Sequence, residues 1–189
     1  MRALMLEPPE ELLAERRRKG ADRWDEVWDG VIHMVPPPSS AHQFFASDLH
    51  LALAPTVKAL GLRIAEQMGV FRPGTGDRDY RQPDIVVCRS EHVSPRGVEG
   101  KAEFVVEVLS PADESREKFG FYAACGISEV LLVDPKTREF EHHVLRGGQY
   151  LAALPDDRGA VRSPVLGVTF SRIEGPKLRV STASGFTDV

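Results

Sequence analysis

The run Phe104-Val105-Val106-Glu107-Val108-Leu109 constrains this chain more than any other stretch. Apart from one residue it is wholly apolar, and unbroken apolar runs suit central strands covered on both faces. Val130-Leu131-Leu132-Val133 has the same character, and Ile85-Val86-Val87-Cys88 is a third strand-like run. Such runs require a sheet with helices packed against it. Glu107 nevertheless sets a carboxylate inside the run. Alternation puts Val105, Glu107 and Leu109 on one face and Val106 and Val108 on the other. A carboxylate buried there is costly unless it is paired or holds a metal. Its partner is either an Arg or Lys in a structural bridge or a cation.

The remaining elements follow from local signals. Residues 9–19 read as a short charged helix stopped by Gly20, with the basic run Arg16-Arg17-Arg18-Lys19 in its last turn. That run is either a solvated helix end or a nucleic-acid contact. Asp29-Gly30 between two apolar-alternating arms (24–35) signals a hairpin. After Pro36-Pro37-Pro38, a helix is expected over 41–59, with Ser40 as N-cap and the stripe Phe45, Leu49, Leu53 and Val57 on one side. Pro55 is expected to kink or break it. Strands are expected over 62–72, 83–89, 103–109 and 127–134, with a polar loop over 90–101. A helix is expected from the Ser110-Pro111-Ala112-Asp113 start to Cys125, with Gly126 closing it. A hairpin around Gly147-Gly148 and a shorter strand pair near 160–181 complete the order. Three strands followed by a helical crossover into a fourth make a mixed sheet of the α/β (α+β) class.

At 189 residues the chain can bury one sizeable core and is expected to form one domain. No stretch is apolar for long enough to span a membrane. The N-terminus lacks a signal-peptide pattern, so the expected location is cytoplasmic. Cys88 and Cys125 stand in no metal-binding spacing and read as buried free thiols. A net charge of −4 argues against a protein that coats nucleic acid nonspecifically. It leaves an acidic metal cleft open, because a bound cation restores attraction for phosphate.

Asp84, after Pro83, is either a turn residue or a second acid at the sheet end. If the strands carrying Asp84 and Glu107 are neighbours, the two carboxylates can share one hard cation, with the Val108 carbonyl as a third oxygen ligand. Lys118 lies on the following helix, four residues from both Glu114 and Tyr122. It either forms an exposed pair with Glu114 or faces the cleft, where its ammonium would orient water and stabilise charge on phosphate. Tyr122 either shares that cleft face or packs in the core. Glu26, on the hairpin, is either solvated or an extra acidic ligand. His42 either completes a hydrogen-bond network or contacts metal or phosphate.

This ordered series resembles the PD-(D/E)xK nuclease superfamily and, more narrowly, the Uma-type restriction endonuclease family. The resemblance spans roughly 24–145. It is carried by Glu26-Val27-Trp28-Asp29-Gly30, by Met34-Val35-Pro36-Pro37 with His42, and by Arg81-Gln82-Pro83-Asp84. It continues through Glu107-Val108-Leu109-Ser110-Pro111, Lys118 with Tyr122, and Leu132-Val133-Asp134-Pro135. It implies a restriction endonuclease-like core over about 39–136, with an N-terminal helix and hairpin (1–38) and a C-terminal β extension (137–189). It also implies cleavage of DNA phosphodiesters dependent on Mg²⁺, or on Mn²⁺ in its place, with Asp84 and Glu107 as metal-binding acids. A homodimer is a further family-level expectation. The superfamily's lysine usually stands two residues after the second acid. That position is Leu109 here, so Lys118 would serve from the helix. Two other functions compete: a catalytically silent nucleic-acid-binding or assembly module, and a metal-dependent hydrolase of another phosphate ester.

Overall fold

The computed structural model describes residues 3–5, 7–110 and 114–189. The first part of the chain comprises β1 (Ala3–Met5), α1 (Glu10–Lys19), β2 (Glu26–Trp28), β3 (Val31–Met34) and α2 (Ser40–Ala59). The middle follows with β4 (Arg63–Glu66), β5 (Val70–Phe71), β6 (Tyr80–Arg81), β7 (Ile85–Cys88), β8 (Val98–Glu99) and β9 (Phe104–Val108). After α3 (Phe119–Ala124) come β10 (Glu129–Val133), β11 (Phe140–Arg146) and β12 (Gln149–Ala152). Last are β13 (Val161–Arg162), β14 (Thr169–Ile173), β15 (Lys177–Thr182) and β16 (Gly185–Asp188). No helix among the described residues is long and apolar enough to cross a membrane.

The central sheet has the order β12-β11-β10-β9-β7-β4. β9 and β10 run parallel, joined by the α3 crossover, and the other neighbours are antiparallel. Its three middle strands are buried along their whole length. One face, with Ile85, Val87, Phe104, Val106, Val108, Leu131 and Val133, packs under the apolar stripe of α2 and the four-stranded C-terminal sheet. The other, with Val86, Val105, Val130 and Leu132, packs against Phe121 and Tyr122 of α3. Period-two alternation therefore sends Glu107 to the α3 side. A separate sheet, order β1-β3-β2-β6-β5-β8, contains the N-terminal hairpin.

Most expected elements are present, with several corrections. The 29–30 hairpin forms between β2 and β3, with Asp29 and Gly30 both at positive φ (48° and 89°), as a two-residue loop of this twist needs. The N-cap of α2 is Ser39, not Ser40: its hydroxyl accepts from the His42 N–H at 3.3 Å. The helix continues through Pro55, since Pro55 and Leu51, whose mutual hydrogen bond is lost, both lie on the exposed side. The single strand expected over 62–72 is two strands in different sheets, broken where Gln67 takes φ 50°. β6 lies between the strands expected at 62–72 and 83–89, where no strand was expected, and β8 lies in the stretch expected as a loop. The pair expected near 160–181 is a four-stranded sheet, β13 to β16. Of the helix start expected at Ser110–Asp113, residues 111–113 lie outside the described residues. The described helix begins with a 3₁₀ turn at Ser115–Lys118 and is α-helical only from Phe119. Within α1's basic run, Arg16 pairs with Asp25, Arg17 with Glu10, and Arg18 and Lys19 with Glu15. Both cysteines are buried and free.

Candidate active site

Asp84 stands immediately before β7, and Glu107 and Val108 close β9. The two strands are antiparallel neighbours, with Ile85 opposite Val106, so both acids reach the same end of the central sheet. Asp84 Oδ2 accepts the Val108 N–H at 2.7 Å. The buried His42 ring bridges the same two residues from the first turn of α2: its Nε2 lies 3.0 Å from the Val108 carbonyl oxygen and 3.3 Å from Asp84 Oδ2. Burial alone would lower the His42 pKa, but the hydrogen bond and charge of Asp84, with help from the Val108 carbonyl and Glu107, raise it.

Lys118 is only 4% exposed, at the junction of the 3₁₀ turn and α3. Its Nζ donates to Glu107 Oε1 (2.9 Å), Glu107 Oε2 (3.1 Å) and Glu26 Oε1 (2.8 Å). The exposed pairing with Glu114 is thereby replaced by a buried one with two acids. Tyr122, fully buried, donates its hydroxyl to Glu107 Oε1. Glu26 is not solvated either: it is 2% exposed. Its Oε1 also accepts the Gln82 N–H (2.8 Å), and its Oε2 accepts Trp28 Nε1 (2.8 Å). The hairpin bearing it is clamped by Arg81, which lies over the rings of Trp28 and Phe121 at 4.4 and 4.2 Å and bonds Asp79 and the Val27 carbonyl. Trp28 and Gln82 were not singled out as site residues from the sequence. Both stood in stretches that carry the family resemblance, and Trp28 lies two residues after Glu26, hence on the same strand face.

Two acids share one ammonium here, and their ionisation diverges. Burial drives the Glu107 carboxyl up to about 7; Lys118 pulls it down, while the charges of Asp84 and Glu26 add to the rise. Burial also pushes Glu26 up, but Lys118, the Gln82 N–H and the Trp28 N–H outweigh it and leave its pKa lowered. Lys118 is held charged by both acids against its own desolvation. A glutamate in the unfolded chain ionises near about 4.3. Between that value and about 7 the unfolded chain has released a proton that the folded protein keeps at Glu107. Its contribution to stability is therefore present at low pH and lost as pH rises across this window. Relative to wild type, Glu107→Gln should gain stability between about pH 5 and about pH 7 in urea denaturation. A difference that does not change with pH would mean that Glu107 ionises normally.

Glu26, His42, Asp84, Glu107 and Lys118 line one cavity of about 590 Å³, while Tyr122 packs in the core behind it. Glu26, Glu107 and Lys118 form its buried part, Asp84 and His42 lie beside them, and Trp24, Pro36–Pro38 and Lys136 make its walls. A second cavity of similar volume, with Arg116, Glu139, Glu141 and Arg172 in its lining, holds charges that pair with each other: Arg116 with Glu141 and Arg172 with Glu139. Among the described residues no group of three or more His, Cys, Asp or Glu side chains is arranged to hold a metal. The expected ligand oxygens nevertheless converge in part, because Asp84 Oδ2 and the Val108 carbonyl lie within 3.3 Å of one His42 nitrogen. Glu107 is engaged by Lys118 and Tyr122. The donor set is all oxygen, which suits a hard cation that keeps several waters.

Comparison with known proteins bears on family and fold. The family described as Uma2, "Putative restriction endonuclease", matches residues 10–174. A crystal structure described as "a putative nuclease belonging to DUF820" from Anabaena variabilis ATCC 29413 aligns with TM-score 0.57 at 20% identity, covering 76% of this chain and 83% of that one. At that identity the likeness establishes the fold, which is restriction endonuclease-like. No curated protein matches.

Proposed function

The chain belongs to the Uma2 restriction endonuclease family, and from that membership we propose that it is a metal-dependent endonuclease hydrolysing DNA phosphodiesters at the Asp84–Glu107–Lys118 site. The observation that carries this reading is the buried Lys118 ammonium, held on Glu107 within a cavity that Asp84 also lines. Asp84, Glu107 and the Val108 carbonyl would hold Mg²⁺, or Mn²⁺ in its place. When bound, such an ion supplies Lewis-acid polarisation of the phosphate and acidifies water near neutral pH.

The chain's own groups have separable tasks. Lys118 sets a fixed positive charge where negative charge grows on the phosphate, and fixed charges in a water-poor cavity act more strongly than in bulk solvent. Glu26 is better placed to anchor Lys118 than to act as a further ligand, since its oxygens already accept from Lys118, Gln82 and Trp28. Tyr122 fixes the Glu107 carboxylate, and His42 fixes Asp84 against the Val108 carbonyl.

One observation favours a silent module instead: Glu107 is already compensated by Lys118. The two readings separate on circular DNA, single-stranded and supercoiled duplex, incubated with Mg²⁺ or Mn²⁺. An endonuclease converts at least one circle to nicked or linear product, and a chelator stops it. Intact circles of both kinds with either ion would overturn the endonuclease reading.

A further inference from the structure

The reactive groups lie deep in a small space. Lys118 and Glu107 are each 4% exposed and Glu26 2%. The cavity that reaches them, about 590 Å³, is of the size that takes a small molecule, within the usual range of roughly 300–1,000 Å³. A sphere of that volume is roughly 10 Å across, narrower than the ~12 Å major groove of B-form DNA and far narrower than the duplex itself. The cavity lining comes from two parts of the chain. Trp24 and Pro36–Pro38 come from the N-terminal hairpin and the segment leaving it, while Pro135 and Lys136 come from the β10–β11 turn. A stacked, paired duplex presents its phosphates on a convex surface, which suits a deep, small cavity poorly. A strand with no partner can turn one nucleotide inward.

On the nuclease reading above, we infer that the site takes the phosphodiester of an unpaired DNA stretch, with one nucleotide seated against Trp24 and the Pro36–Pro38 wall. The phosphate of that nucleotide faces Lys118, and Lys136 at the rim meets the next one. Trp24, half-buried, lines the cavity, and an indole is a group on which unpaired bases stack regardless of their identity. The prolines give an apolar wall that needs no hydrogen bonds from a base.

The test is a binding measurement that does not depend on cleavage. End-labelled oligodeoxythymidylate and a blunt hairpin duplex with the same number of phosphates are titrated with full-length protein by fluorescence anisotropy, with chelator present. The single strand should bind at least about 10-fold more tightly. Trp24→Ala should lose roughly 5- to 150-fold for the single strand, the span of one aromatic–base stack, while Trp24→Phe, which keeps a ring, should stay near wild type. Equal or tighter binding of the duplex, binding of neither, or a folded Trp24→Ala protein that binds the single strand as wild type does would overturn the inference. Cleavage of the same two DNAs with Mg²⁺ is scored separately. If neither is cut, the nuclease reading fails whatever the anisotropy shows. If the duplex is cut as fast as the single strand, only the substrate assignment fails.

Discussion

Lys118→Ala is expected to lower DNA cleavage by about 10²–10³-fold, the usual effect of deleting one fixed electrostatic group from a catalytic site. The same change should lower stability by about 3–5 kcal/mol, because it strips a buried charge network of its one cation. Glu26 and Glu107, both almost fully buried, would then face each other with no ammonium between them. Two carboxylates so placed cannot both stay ionised, so one takes a proton. The stability deficit should therefore shrink as pH falls, which denaturant titrations at two pH values would read. A companion variant separates the two losses. Lys118→Met combined with Glu26→Gln and Glu107→Gln removes all three charges while keeping similar volume. It should recover much of the stability and none of the cleavage. A folded Lys118→Ala protein that cuts at the wild-type rate would exclude the lysine from the chemistry.

Asp84→Asn should abolish cation binding and cleavage while leaving the fold nearly intact. Asp84 Oδ2 accepts the Val108 N–H, and an asparagine carbonyl oxygen can accept the same bond. The structural cost should therefore stay near or below about 1 kcal/mol. The lost negative charge matters far more to a divalent cation, which binds through carboxylates. Calorimetric titration with Mg²⁺ or Mn²⁺ should show binding in wild type and none in the variant, with a melting temperature close to wild type. Undiminished affinity in Asp84→Asn would exclude that carboxylate from the ligand set. The contrast is informative because Lys118 sits inside the charge network of the core and Asp84 at its edge.

The central sheet was readable because its strands announce themselves. Val105, Val106 and Leu131 sit in runs that suit a doubly covered strand, and alternation set Glu107 on the face of Val105, which the structure packs against α3. The meeting of Glu107 with Lys118 and Tyr122, and the pairing of the Asp84 and Glu107 strands, were left open by the sequence and come from strand order and the short crossover. Glu26 was harder to judge. A glutamate three residues before a hairpin turn is normally solvated, and its burial comes from docking a second sheet, a long-range contact with no local mark. The same holds for the Gln82 N–H and the Trp28 indole that complete its hydrogen bonds. The split of 62–72 into two strands turns on Gln67, a non-glycine residue at positive φ, which neither propensity nor pattern foretells. At Ser39 the miss was one residue, since two adjacent serines offer the same cap chemistry.

The ammonium of Lys118 is grasped by acids from two different sheets: Glu107 from the buried middle strand and Glu26 from the N-terminal hairpin. A shortened version starting at the long helix would still carry Asp84, Glu107 and Lys118, yet would have discarded half of the lysine's counter-charge. Any minimal scaffold built from this molecule must therefore keep its first thirty-odd residues, or supply a replacement carboxylate at that spot by design.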